Sequence, residues 1–176
     1  MPSLDTEGLP HGRVTSVQFN DVANTFVITL SSGLGQRIFL RPLGSPSATE
    51  LIFRELNGNH TYSRPLLAGS SSSLCFLEWQ VQSDALNWAA LLSFDLVNRA
   101  WRTVVDAHTM DITGDAIARW LVALHCFSAD GASVFATVAT EKAHGEGGQV
   151  DYEFGRIALA TGKIDIVASL SLPFLL

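Results

Sequence analysis

Phe127-Ser128-Ala129-Asp130-Gly131-Ala132-Ser133-Val134-Phe135-Ala136 decides how the rest of the chain is read. Two apolar runs flank a short polar step, and Asp130-Gly131 tolerates the left-handed backbone that a tight hairpin needs. Phe127 precedes Val134 by seven residues, and the same interval separates Phe19 from Phe26 and Leu67 from Leu74. Successive copies of this interval are offset by 48 and then 60 residues, the longer offset being absorbed by an insertion around Ala107–Ile117. Repeats of this length indicate stacked supersecondary units.

Around each interval the chain breaks into four short apolar runs bounded by turn residues, the pattern of an all-β fold. The first unit holds Val14–Phe19, Thr25–Leu30, Gln36–Leu43 and Thr49–Leu56. The second holds Thr61–Ala68, Leu74–Val81, Asn87–Val97 and Ala100–Val105, and the third Ala118–Phe127, Val134–Thr140, Val150–Ala160 and Lys163–Leu170. Residues 1–12 read as a flexible arm, and 13–176 as a single β domain of three repeats (13–56, 61–106 and 118–170). The second strands are apolar on both faces. Phe26, Ile28 and Leu30 alternate with Val27, and Val134, Ala136 and Val138 alternate with Phe135 and Ala139. A strand covered on one side alternates with polar residues, so both faces are expected to be covered. Residues 114–124 fit either a short helix starting near Asp115 or the beginning of the strand that ends at Phe127.

In the third unit, Phe127–Gly131 followed by Val134-Phe135-Ala136 resembles the turn and second strand of TolB-like and WD-repeat-like β-propeller blades. Ile157-Ala158-Leu159-Ala160-Thr161-Gly162-Lys163 is similar to their third strand and following turn. The resemblance covers residues 118–170; the first two units agree in spacing, with Asn20-Asp21 and Gly69-Ser70 in place of Asp-Gly. It implies three four-stranded antiparallel blades, a partial propeller, with a β-sandwich as the alternative. It implies no activity, since such folds serve as scaffolds, receptors and enzymes. Propellers close with four to eight blades, so three blades leave two apolar end faces to be covered by another chain or by further blades. The apolar Leu170–Leu176 points the same way.

Composition narrows the function. The 176 residues are 47% apolar and 16% charged, which rules out a disordered chain. A net charge of −6 disfavours nucleic acid as a partner. No apolar run reaches the length of a membrane helix, and the acidic Asp5 and Glu7 sit where a secretory leader would be basic. A cytoplasmic protein with no membrane association is the expectation. Cys75 and Cys126 lie in apolar strands and read as buried free thiols; the Asn59-His60-Thr61 sequon carries little weight without a leader.

In a blade, the loops after the second and fourth strands emerge at one end. Here they carry Asp84, Asp106, Asp111, Asp115, Glu141 and Glu146 against the single base Lys142, an acidic rim and the candidate binding site. The opposite end, with Asp21, Asp130, Arg99 and Lys163, is nearly balanced. His60, His108 and His144 share the rim loops and are weak candidates for a metal site, but no spacing fixes them together, and no metal or other cofactor is expected. His125 reads as a satisfied core residue, and Trp79, Trp88, Trp101 and Trp120 as core. Ser70–Ser73 lacks the glycines of a nucleophile elbow, and Gly33-Leu34-Gly35 is too short for a dinucleotide fingerprint. Gly145-Glu146-Gly147-Gly148 carries an acid where a phosphate loop needs a lysine. With no catalytic motif, the expected function is a protein-binding module, such as an inhibitor or toxin-neutralising protein. It would act through the acidic rim or an uncovered blade face on a protein partner, a basic one where the rim's charge makes the contact, as a homo-oligomer or within a complex. A propeller hydrolase with a loop-borne metal and a structural piece of a longer propeller are the alternatives.

Overall fold

The computed structural model describes residues 9–10, 12–32, 35–51, 60–82, 85–107, 110, 116–142 and 149–170. Among these residues the protein is all-β, with thirteen strands and no helix. The first unit comprises β1 (Arg13–Asn20), β2 (Thr25–Ser32), β3 (Gly35–Pro42) and β4 (Thr49–Glu50). The second comprises β5 (His60–Tyr62), β6 (Leu66–Leu67), β7 (Ser73–Gln82), β8 (Ala85–Asp95) and β9 (Ala100–Asp106). The third comprises β10 (Ala116–Phe127), β11 (Ser133–Lys142), β12 (Gln149–Ala158) and β13 (Ile164–Leu170). All neighbouring strands pair antiparallel.

The seven-residue interval is a cross-strand pair at the close of a hairpin or one pair before it. Phe19 lies opposite Phe26, Leu67 opposite Leu74 and Phe127 opposite Val134. The same interval recurs in the last hairpin of the second and third units, where Phe94 faces Trp101 and Ile157 faces Ile164. Six residues between partners leave room for one tight turn plus a polar residue that satisfies its amides. Asn20 does this in the first unit, its Oδ1 accepting from the Ala23 N–H at 2.8 Å. Asp130 does it in the third, accepting from the Ser128 hydroxyl at 2.6 Å and the Ala132 N–H at 3.0 Å.

Several expectations are corrected. The first two units do not form separate four-stranded sheets. Tyr62 pairs with Gln36, which joins them into one nine-stranded sheet, while only the third stays four-stranded. The strand expected over Thr61–Ala68 is split into β5 and β6, because Pro65 has no amide proton for a continuous ladder. The described part of 114–124 is strand, from Ala116 onward, since pairing with β11 outcompetes the local helical tendency. His125 and Cys126 are exposed. Register shifts at Leu121/Ala123 and Leu124/Cys126 mark bulges in β10, and they turn these side chains to the outer face of the third unit. Cys75 is buried as expected.

Two cores hold the units together, one on each face of the second. Leu74 and Phe76 of β7 pack with Val27, Ile38 and Leu40 of the first unit. Cys75 and Leu77, one residue out of phase, pack with Leu121, Val134, Ala136 and Val138 of the third. All four β7 residues are fully inaccessible, each apolar side chain contributing about 1.5–3 kcal/mol on burial. Trp101 lies edge-on to Phe76 at 5.7 Å in the first core, and Trp79 and Trp88 border the second. A smaller cluster of Ile28, Leu30 and Phe39 lies on the outer face of the first unit, buried beneath Leu9, Val14, Phe26 and Ala48. No described helix is long and apolar enough to cross a membrane.

Gly131 and Gly162 both have positive φ, +69° and +72°. A Cβ at Gly131 would meet only the Ser71 hydroxyl at 3.9 Å, whereas one at Gly162 would collide with the Val104 carbonyl of the neighbouring unit. Gly131→Ala is expected to cost about 1–2 kcal/mol, the left-handed penalty alone. Gly162→Ala is expected to cost at least about 1 kcal/mol more, because the second and third units must also separate; urea unfolding of both variants is the measurement.

Burial pushes the Cys75 thiol up to about 12, so it is neither ionised nor accessible at neutral pH. One thiol per folded chain is therefore expected to react with a disulfide reagent, and Cys126→Ser should abolish that reaction. The second thiol should appear only on denaturation.

Candidate functional site

The turn end of the units is tied together by specific polar contacts. Asn20 Nδ2 donates to the Ser71 carbonyl at 2.9 Å, linking the first unit to the second. The Ser72 hydroxyl donates to Asp95 Oδ1 at 2.8 Å within the second, and the Arg102 guanidinium donates to the Ala160 carbonyl across to the third. Asp95 also accepts from the Val97 and Asn98 amides at 2.9 and 3.1 Å and from the Asn98 side chain at 2.7 Å. Lys163 and Asp165 form an exposed ion pair at 2.7 Å. This end is a structural clasp with its charges matched.

At the other end, two of the six expected rim acids lie among the described residues. Asp106 ends β9 and Glu141 lies near the end of β11, both half-buried. Asp84, Asp111, Asp115 and Glu146 lie outside the described residues, as do His108 and His144. His60 opens β5 opposite Gln80. Among the described residues no group of three or more His, Cys, Asp or Glu is placed to hold a metal ion. The base of this rim, Lys142, pairs with Asp151 at 3.2 Å.

Beside it lies a polar cluster that the sequence did not suggest. Arg119 of β10, Thr140 of β11 and Glu153 of β12 share one face and line a cleft of about 340 Å³ with Lys142, Ile164 and Ile166. Arg119 Nη2 reaches Glu153 Oε2 at 3.1 Å. The Thr140 and Ser169 hydroxyls donate to the same carboxylate at 3.4 Å each. With Glu153 of β12 committed to donors on β10, β11 and β13, the cluster suits holding four strands in register better than proton transfer. The signal that could have found it is a polar residue at the facing positions of three otherwise apolar strands.

The outer face of the third unit is the other feature with functional character. Register places Phe135, Thr137, Phe154 and Arg156 on the side away from the second unit. The Phe135 and Phe154 rings stack at 5.5 Å with only 4° between their planes, and the His125 ring lies 5.5 Å from Phe154. His125 is fixed by a 2.7 Å hydrogen bond to the Thr137 hydroxyl. Phe154 and Tyr152 are each 37% exposed and Val122 38%. An ordered, solvent-facing set of aromatic rings is the composition of a contact surface. The sequence named an uncovered face without naming its residues, because the bulges that turn His125 and Cys126 outward leave no mark in the apolar pattern.

Four donors, led by the Asn98 amide, hold the Asp95 carboxyl down to about 2. A carboxyl whose folded value lies below its unfolded one stabilises above the unfolded value, and the contribution is lost as pH falls through the folded value. The Asp95 contribution should therefore be constant above about pH 5, fall as pH drops toward 2 and vanish only below the folded value. Discounted for its exposure, Asp95→Asn is expected to cost about 1 kcal/mol at pH 7 and much less at pH 2. Unfolding midpoints measured across that range check it.

No family model and no curated protein matches the chain. Among solved structures, the fold is similar to Pyrococcus horikoshii acylaminoacyl peptidase, with a TM-score of 0.51 and 9% identity over 94% of this chain and 26% of that one. That peptidase has a β-propeller domain. At this identity the likeness concerns fold alone. The chain spans about a quarter of the peptidase's length, and its units stack in a propeller-like manner.

Proposed function

We propose that this protein is an interaction module of propeller type, with blades of the TolB-like or WD-repeat-like kind, that holds a protein partner against an uncovered blade face. The observation that carries this reading is the ordered aromatic set of Phe135, Phe154, Tyr152 and His125 on the outer face of the third unit. Contact energy in protein interfaces concentrates in central aromatic residues. The rim acids Asp84, Asp106, Asp111, Asp115, Glu141 and Glu146 act in this reading as a steering field for a basic partner, which affects association rate more than affinity. An inhibitor or toxin-neutralising role is the narrower form of the proposal. The 26% coverage of the peptidase chain favours a second reading, in which the segment is a structural piece of a longer propeller and the face is covered by further blades.

The test is affinity purification from the native host with three baits: wild type, Phe154→Glu and Glu141→Gln. A partner retained by wild type and Glu141→Gln but released about 30-fold faster or more from Phe154→Glu supports the face. A partner held equally by Phe154→Glu overturns it.

A further inference from the structure

We infer that the outer edge of the third unit is a docking site for an extended, uncharged peptide segment of a partner protein, which adds to β13 as a fifth strand. The site is an edge of the sheet, distinct from the aromatic face, and stands on different observations.

β13 ends the four-stranded sheet, and among the described residues no strand pairs with its other side. The corresponding edge strand of the second unit, β9, buries Val104 and Val105. In β13, by contrast, every residue of Asp165–Ser169 is exposed, with Ile166 at 39% and Val167 at 59%. The Lys163 carbonyl accepts from the Ala158 N–H at 2.9 Å. Backbone direction alternates along a strand, so the amides and carbonyls of Ile164 and Ile166 point to the open side. An open row of such groups is a template for a further strand.

Side chains beside the edge define what fits. An added strand alternates its side chains between the two faces of the sheet. On one face they lie next to Ile164 and Ile166, which line the 340 Å³ cleft with Arg119, Thr140 and Glu153. On the other they lie next to Ala168, opposite Phe154. The charges nearby are already matched, Arg119 with Glu153, Lys142 with Asp151 and Lys163 with Asp165. A charged residue gains no net attraction here, so the segment is uncharged and aliphatic on both sides. Its backbone supplies affinity and the cleft selects side chains. The edge also discriminates against a rigid occupant. Phe154 and Gly155 are consecutive, while their partners Ala168 and Ile166 are two apart, so Val167 is an extra residue that bulges the strand. Bulges and edge charges such as Asp165 oppose flat edge-to-edge pairing of folded sheets, a second copy included. A flexible segment bends to follow the bulge.

The probe is a synthetic nine-residue peptide alternating valine and threonine, with a short polyethylene glycol tail for solubility, and the readout is amide exchange by NMR. Saturating peptide is expected to slow exchange at Ile164 and Ile166 by about tenfold or more, and to leave the already bonded Asp165 amide unchanged. Methylating the peptide nitrogens on one alternate set, the set that bonds β13, should weaken binding by about tenfold or more; methylating the other set should not. Ile166→Pro should weaken binding equally, circular dichroism establishing that it folds, and the methylated peptides decide the matter where it does not. Unchanged exchange at Ile164 and Ile166 overturns the inference, as does equal binding of both methylated peptides, which would indicate side-chain contact alone. Slowed exchange confined to β11 and β12 also overturns it and moves the seat to the aromatic face. Protection of the edge in concentrated protein without peptide overturns it in favour of a second copy. The aromatic face is judged separately, by release of the host partner from Phe154→Glu, so either reading can fail while the other stands.

Discussion

Every feature of this protein follows from a strand that is apolar on both sides. Leu74 and Phe76 of β7 point one way, Cys75 and Leu77 the other, and none has any exposed surface. Such a strand is unstable at the surface of a two-layer sheet, because one face would always meet water. It becomes stable only when sheets lie on both sides of it. The first and third units are those sheets, and removing either exposes an entire apolar face at about 25 cal/mol per Å².

Stacking by apolar faces alone would allow sheets to slide, since burial is not directional. Polar contacts at the turns remove that freedom. Asn20 reaches Ser71, Arg102 reaches Ala160, and Gly162 lets the third unit's turn come against the Val104 carbonyl. Asp95 and Asp130 fix the turns themselves by collecting amide and hydroxyl donors. Within the third unit the Arg119–Glu153 pair does the same across three strands. Apolar area supplies the stability, and hydrogen bonds choose one geometry among many of similar area.

The stacking rule is satisfied on both faces of the central unit. On the outer face of the first unit Ile28, Leu30 and Phe39 are buried beneath Leu9, Val14, Phe26 and Ala48, while Phe154 and Tyr152 of the third remain 37% exposed. The surface charges are a separate matter, because exposed charges contribute about 0–1 kcal/mol per pair and are screened by salt.

Much of the fold was legible in the sequence. Seven-residue spacing marked the hairpin pairs Phe19–Phe26, Leu67–Leu74 and Phe127–Val134, because turn length is a local property of a few consecutive residues. Two-sided apolar alternation revealed that sheets would stack, because side-chain direction in a strand has a fixed period of two. The join of the first two units through Gln36 and Tyr62, the bulges that expose His125 and Cys126, and the Arg119–Thr140–Glu153 cluster were decided only by tertiary structure. Each depends on which residue lies opposite which across strands far apart in the chain. A bulge changes that pairing by one position and reverses the face of a side chain, without changing the apolar pattern from which the strand was read.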